Sequence, residues 1–517
     1  MGSRCVFGSE SCLCHRFFLG SSRSLDGASG VPHRELPAHH LVTHAVIVGM
    51  TGSGKTGLVT VAVEEALRAQ VPVLMVDVKG DLTDLLLAFP SFDAGHFAPW
   101  TAAGGGPGDD RTPAQLASDL AEERRRGLGE WGIGEEDVAS FAATTSVRVL
   151  TPGSTGGESL HVLSSLERRS PRWDTDPESA QAGLSAAISL VLRLVGRDPD
   201  PARSRDHVLL SVLAERRLRA GQTADLGALL ADLTDPPIEQ VGALPLDRFL
   251  PKTERRALSA ALNNLLASPT FASWRQGAAL DVGEWLTPRD GRTPAVVVSV
   301  AHLDDEERSL VLGVLLEEVL SWVRGLPGSQ RLRALVVFDE VYGFLPPHPA
   351  NPPTKRPLVA LMKQARAFGV GVVVATQNPM DLDYRALSNA GLWCIGRLQT
   401  DADRERVIDG LCGSSSATER HAAHELSTLV QRLAPRWFVV RDAHTDEGPY
   451  LLHPRWAMSW LRGPMTRAEL RQARCRLRLE STGQVALKGS PYGLKLSTQR
   501  QGKRCLCGSN GTKRASL

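Results

Sequence analysis

Apolar and polar positions alternate with two different periods along this chain. HAVIVG (44–49) is a short apolar run ending in glycine, and VPVLMVDV (71–78) is a longer one. Both predict strands. Their unbroken apolar character fits a parallel sheet covered on both faces. Between them, TGLVTVAVEEALRAQ (56–70) has its apolar residues at helical spacing, which gives a strand–helix–strand unit with short links. The residues before it, 1–40, are rich in Ser, Gly and Arg without a period. They read as a flexible leader, with ordered structure expected from about Leu41.

Farther along, AGGGPGDD (103–110) predicts a loop, residues 113–126 a polar helix and SVRVLTPG (146–153) a third strand. From Pro177 to Leu286 the period becomes helical, in segments separated by Gly and Pro. Strands resume at PAVVVSVAHL (294–303), RALVVFDE (333–340), GVGVVVATQ (369–377), LWCIGRL (392–398) and RWFVVRD (436–442). One intervening helix is VLGVLLEEVLSWVRG (311–325). The expected fold is α/β with a mainly parallel sheet, and no fixed-period repeat points to a solenoid. Its core is expected in two parts, 41–176 and 291–464, divided by an all-helical insertion over 177–290. Residues 465–517 form a separate tail.

Composition adds a division that the pattern does not show. The 517 residues carry 59 Lys+Arg and 57 Asp+Glu, a formal net charge of +2. Met465–Leu517 alone holds 12 basic and 2 acidic residues, so the tail is +10 and residues 1–464 are −8. Cys5, Cys12, Cys14, Cys475, Cys505 and Cys507 lie near the ends, and only Cys394 and Cys412 in the body. This usage reads as a reduced, cytoplasmic protein rather than a disulfide scaffold. The C-x-C pairs are too tight for a usual zinc site. No apolar run approaches the ~18 residues of a membrane span, so no membrane association is expected.

The chemistry begins at Gly49-Met50-Thr51-Gly52-Ser53-Gly54-Lys55-Thr56, which matches G-x-x-x-x-G-K-[ST] between a strand and a helix. Glycines there let backbone N–H groups curl around phosphate oxygens, and the helix dipole favours the same anion. Lys55 is expected on the β- and γ-phosphates of ATP, and the Thr56 hydroxyl on Mg²⁺. Gly57 follows directly. Such a loop needs a carboxylate from another strand end, and RALVVFDE offers Asp339 for the metal with Glu340 to polarise the attacking water. Gln377 ends a further buried strand, as a γ-phosphate sensor or as an amide capping the next turn. Asp77, Lys79 and Asp81 follow the second strand, either at the nucleotide edge or in an Asp-Gly turn that closes it.

GMTGSGKTG, VDVKGD, FDEVYGFLP and KQARAFGVGVVVATQNP, in this order, resemble the HerA/FtsK superfamily of P-loop ATPases, most closely its HerA-like helicases and translocases. The resemblance covers about residues 38–465. It implies a RecA-like core and an ATP-driven motor that assembles as a homo-oligomeric, often hexameric, ring and threads DNA through its centre. It carries over Lys55, Thr56, Asp339, Glu340 and Gln377, with Asp77 and Lys79 at an acidic/basic motif. It also implies an arginine supplied by the neighbouring subunit. Arg366 is the candidate, with Arg404 and Arg406 as alternatives. HerA proteins usually begin with a β-barrel. Only about 40 unpatterned residues precede the phosphate loop here, so a short form is expected, without the barrel and the nuclease partner that goes with it.

The competing function is a nucleotide-dependent assembly or scaffold ATPase acting on a protein partner, suggested by the acidic body. The tail, from RAELRQARCRLR (467–478) onward, reads as a basic helix able to meet phosphates or as a solvated disordered segment.

Overall fold

The structure, a computed structural model, describes residues 15–481 except 28, 103–108, 168, 171, 380–381, 384–386, 388–389 and 413–416. In chain order its strands are β1 (Arg16–Ser24), β2 (Gly30–Pro37), β3 (Ala45–Val48), β4 (Val73–Asp77), β5 (Thr145–Pro152), β6 (Glu158–His161), β7 (Gln240–Val241), β8 (Leu244–Pro245), β9 (Ala278–Ala279), β10 (Thr293–Ser299), β11 (Ala334–Asp339), β12 (Val370–Thr376), β13 (Leu392–Ile395), β14 (Phe438–Asp442) and β15 (Tyr450–Pro454). Thirteen of them form one sheet in the order β2-β1-β15-β14-β13-β3-β12-β11-β4-β10-β5-β6-β9. The segment from β13 to β9 is parallel throughout, and β14, β15, β1 and β2 extend it antiparallel.

The central strands are buried at every position, as their continuous apolar sequence requires. Alternate residues serve opposite faces. Leu74, Val76, Val296, Val298, Val336 and Phe338 join one continuous core with the helices Pro177–Leu194, Arg205–Arg219 and Asp305–Arg324. The intervening Val73, Met75, Val297 and Val337 are buried on the other face, where helix α1 (Lys55–Arg68) packs on β4, β10 and β11. Each buried Val or Leu contributes roughly 1.5–3 kcal/mol of transfer free energy, so this sandwich supplies most of the driving force. Register follows from it. Val73 of β4 lies opposite Ala295 and Leu335, and Asp77 lies opposite Asp339.

Two expectations need correction. Residues 16–37 are not a flexible leader. They form the β1–β2 hairpin, and β1 pairs with β15. The signal was faint because this is a sheet edge. Phe17 and Leu19 point inward while β2 is mostly exposed, so the run is polar on average and its apolar residues do not cluster. Nor is the insertion wholly helical. β7 and β8 form a two-residue ladder, and β9 adds to the main sheet beside β6. Strands of two residues are too short for a period to reveal. At the start of the tail, Arg467–Ser481 forms a helix, the first of its two readings. A second unit starts at Cys475, and residues 482–517 lie outside the described set. Among the described residues no helix is long and apolar enough to cross a membrane.

The segment after β15 folds back onto α1 through buried charge. Arg455, fully enclosed, donates to Glu64 and Glu65 of α1, each at 2.9 Å, and to the carbonyls of Phe18 and Trp456. Glu64 also accepts from the backbone N–H groups of Met458 and Ser459 and from the Ser459 hydroxyl. Arg124 closes the arrangement from the helix Pro113–Gly129 by donating to the carbonyls of Ala457, Met458 and Ser459. Arg455 is ion-paired with both glutamates and Arg124 is held by carbonyls alone, so every charge here is hydrogen-bonded, the condition under which buried ions are tolerated.

Candidate nucleotide site

Parallel strands bring their C-terminal ends to one edge, and the loops there converge. The loop after β3 is the glycine-rich segment. Gly54 takes φ 96°, in the left-handed region, and a Cβ there would stand 3.0 Å from the Arg436 side chain. A Cβ on Gly49 would meet the Ser53 hydroxyl at 2.7 Å. Only glycine fits either place. The loop is further held by Met50 N–H donating to the Arg397 carbonyl at 2.8 Å and Arg436 N–H donating to the Ser53 carbonyl at 2.9 Å. Thr56 is half-buried at the first turn of α1.

Lys55 turns back over this loop. Its ammonium donates to the carbonyls of Gly49 at 2.5 Å and Met50 at 3.1 Å. Burial pulls it down to about 8 from its ordinary value, with Lys79 acting in the same direction and Glu340 and Asp339 opposing. A phosphate would restore its full charge.

Opposite the loop stand the acids. Asp77 is fully buried. One of its carboxylate oxygens accepts from Gly80 N–H at 2.7 Å, and the other has no partner. Burial pushes Asp77 up to about 7, helped by its neighbours Asp339 and Asp81. Asp339 is pushed up to about 6, again chiefly by burial, although Lys79 and Lys55 pull the other way. Asp81 opens the short turn Asp81–Leu87 beside them. Glu340 sits at φ 62°, unusual for a residue with a side chain. That turn swings the chain off β11. One Glu340 oxygen then accepts from the Thr376 hydroxyl at 3.1 Å and from Gln377 N–H at 3.2 Å. The other is ion-paired with Lys79 at 2.5 Å. The Gln377 side-chain oxygen accepts from the Thr51 hydroxyl, joining β12 to the phosphate loop.

Magnesium fits this donor set. The Thr56 hydroxyl, an Asp339 carboxylate and the unpartnered Asp77 oxygen are hard oxygen donors, and Mg²⁺ in phosphate sites takes few protein ligands beside substrate oxygens and water. Among the described residues no cluster of three His, Cys, Asp or Glu forms a protein-only cage. The raised Asp77 and Asp339 have a consequence for stability. Between the ordinary carboxylate range and about pH 7 the folded chain holds protons that the unfolded chain releases, so folding stability falls as pH rises through that window. Asp77→Asn removes the larger of these costs. At pH 8 without metal, the variant is expected to resist urea better than the parent by about 2 kcal/mol. Added Mg²⁺ is expected to stabilise the parent more than the variant. An equal response in both would remove Asp77 from the site.

The arginines fall elsewhere. Arg366 lies in the turn Ala365–Phe368 that precedes β12, at the opposite edge of the sheet, where it is exposed near His44 and His444. Arg404 is buried and holds its own helix start through the carbonyls of Leu398 and Gln399 and the Asp401 carboxylate. Arg406 is exposed on the same helix, Asp401–Cys412. The two arginines that do flank the phosphate loop, Arg397 and Arg436, escaped the sequence reading. Arg436 stands at the start of β14, and only because β14 runs antiparallel to β13 does its N-terminal end reach this edge. Strand direction leaves no mark in the apolar pattern.

Residues 34–108 match the family model described as the central domain of helicase HerA. Over 137 residues the chain is 26% identical to a DNA double-strand break repair helicase HerA from Saccharolobus solfataricus, covering 26% of each protein. The match thus spans about a quarter of that relative's length. Among solved structures, VirB4 of Thermoanaerobacter pseudethanolicus aligns over 85% of this chain and 96% of its own, with 13% identity and a TM-score of 0.46. The plasmid coupling protein TrwB, in complex with ADP and Mg²⁺, aligns over 87% and 96%, with 13% identity and a TM-score of 0.45. The segment matching the HerA central domain is the one that builds the phosphate loop and the Asp77–Asp81 edge. Family likeness and local geometry therefore meet on the same residues, where the chain is similar to the central domain of helicase HerA.

Proposed function

We propose that this protein hydrolyses ATP as a HerA-like motor and works as a homo-oligomeric ring, hexameric in this reading, that moves DNA. The observation carrying the hydrolytic part is the convergence of Lys55, Asp339, Glu340 and Gln377 at the C-terminal ends of three adjacent strands. Lys55 exchanges the Gly49 and Met50 carbonyls for the β- and γ-phosphates. Glu340 takes the proton of the attacking water. Before it can do so, it must leave Lys79, which then has its charge free for the phosphates. Gln377, tied to Thr51 in this structure, turns to the γ-phosphate, so that the presence of nucleotide is felt at the end of β12. Magnesium, held by Thr56 and Asp339 with Asp77 behind, supplies charge neutralisation for the phosphates.

The ring and its DNA rest on the family. The placement of Arg366 agrees with a role in trans. It is a sheet length from its own phosphate loop and exposed. The test is ATP turnover by the full chain with and without duplex and single-stranded DNA, at low salt because phosphate contacts weaken steeply with ionic strength. Stimulation by DNA, lost in Arg366→Ala while nucleotide binding persists, is the expected result. Turnover indifferent to every DNA would reject the DNA motor in favour of nucleotide-driven assembly on a protein partner.

A further inference from the structure

The arginines that open the tail take no part in the hydrolytic site. Residues 465–474 hold Arg467, Arg471 and Arg474 against one acid, Glu469. These arginines begin the helix Arg467–Ser481. At about 100° per residue, positions i, i+4 and i+7 fall on one side of it. Leu470 and Ala473, which point away from that side, are buried. Glu469 is used up locally: it accepts from the Thr466 N–H at 2.9 Å and hydroxyl at 2.8 Å, and pairs with Arg462 at 2.5 Å. Arg467 and Arg471 stay exposed. Arg471 donates to the Arg467 carbonyl at 3.3 Å, and among the described residues no carboxylate is paired with either side chain.

Two contacts place the start of this helix at the sheet edge that carries the nucleotide site. Gly463 N–H, just before it, donates to the Asp84 carboxylate at 2.7 Å. A Cβ on Gly80 would stand 3.3 Å from Pro464, and Gly80 lies between Lys79 and Asp81. On the other side, the Arg467 stem rests on Gly156, in the turn between β5 and β6, where a Cβ would come within 3.3 Å of it. Arg308 and His302, beyond the end of β10, face the same neighbourhood. Burial holds His302 below its ordinary value, and Arg467 and Arg308 push the same way, with the bond to the Pro152 carbonyl and Glu307 opposing.

We infer that Arg467 and Arg471 form a contact surface for the phosphate backbone of nucleic acid, beside the nucleotide edge. The inference rests on the DNA reading above and adds where a strand touches the chain outside the hydrolytic site. Four helical residues rise about 6 Å, which spans about two nucleotide steps of a strand. Two unpaired guanidinium forks at that spacing suit successive phosphates, which arginine binds through paired N–H groups. An anionic membrane is a poorer fit. A helix that lies on a membrane needs a free apolar face, and here Leu470 and Ala473 are already covered. Phosphate contacts carry no base information, so binding at this surface is expected to be indifferent to sequence.

The test is fluorescence anisotropy of the full chain with labelled single-stranded and duplex DNA, without nucleotide, over a range of salt. Arg467→Ala/Arg471→Ala is set beside the parent and beside Arg203→Ala/Arg256→Ala, which removes the same charge from exposed positions in the insertion. The tail variant is expected to bind DNA roughly fivefold or more weakly at low salt. Its slope of log affinity against log salt is expected to be shallower by roughly 1.5, the loss of two phosphate contacts. The insertion variant is expected to match the parent, and Arg467→Lys/Arg471→Lys to keep the slope. Unchanged affinity and slope in the tail variant, or an equal loss in the insertion variant, overturns the surface while the DNA motor stands. A parent that binds vesicles of anionic lipid but not DNA overturns it in favour of a membrane. A parent that binds neither at low salt overturns this surface and the DNA reading together, and leaves ATP hydrolysis to its own assay.

Discussion

Glu340→Gln is expected to lower ATP turnover by roughly 10²–10⁴-fold, the range spanned by loss of a positioned general base, while Mg–ATP binding changes no more than a few-fold. The substitution keeps the shape. The amide oxygen can still accept from Thr376 and Gln377 N–H, so the turn at φ 62° has its supports. What disappears is the carboxylate that receives the proton, together with the ion pair to Lys79. Lys55, Thr56 and the loop carbonyls are untouched. Steady-state turnover beside equilibrium binding of ATP makes the comparison. Full activity in the variant would remove Glu340 from the chemistry, and loss of binding along with turnover would make it a structural support instead.

Arg455→Ala is expected to destabilise the fold by about 3–5 kcal/mol, a large share of the ~5–15 kcal/mol that holds a domain together. Its side chain is fully buried between Glu64 and Glu65. Removing it leaves the enclosed Glu64 without a counter-ion and Glu65 with Arg68 alone, and also frees the Phe18 carbonyl of β1. Because α1 carries Lys55 and Thr56 at its other end, surviving protein should bind nucleotide less well. A surface pair offers the contrast. Arg111 is exposed beside Asp109, and Arg111→Ala should leave stability nearly unchanged. Urea denaturation compares the three proteins. A shift under 1 kcal/mol for Arg455→Ala would mean that water screens the network.

These two residues show how unevenly the sequence discloses its structure. Glu340 was legible because four apolar residues of a buried strand end in Asp-Glu, and the phosphate loop because a short motif sits between a strand and a helix. Both signals are local. Arg455 lies 391 positions from Glu64, and its role depends on where the chain goes after β15. A hint existed on the other side: Glu64 and Glu65 interrupt an otherwise apolar helix, as charges do when a buried partner waits for them. Arg436 gave no such hint, since its place beside Gly54 follows from the direction of β14 alone. The β1–β2 hairpin was missed for a third reason. An edge pair buries few side chains, so its apolar content resembles that of a loop. Arg366 was read, from the family resemblance, as an arginine supplied to a neighbouring subunit. The fold puts the N-terminal ends of parallel strands, and Arg366 with them, at the edge away from the chain's own phosphate loop.

The Lys55–Asp339–Glu340 edge is proposed to bind and hydrolyse nucleotide. Its most direct test is release of inorganic phosphate from Mg–ATP by the full chain, beside Lys55→Ala prepared in the same way. Magnesium-dependent turnover is expected in the parent and none above background in the variant. Turnover that survives Lys55→Ala, or a well-folded parent that releases no phosphate with or without DNA, would contradict it.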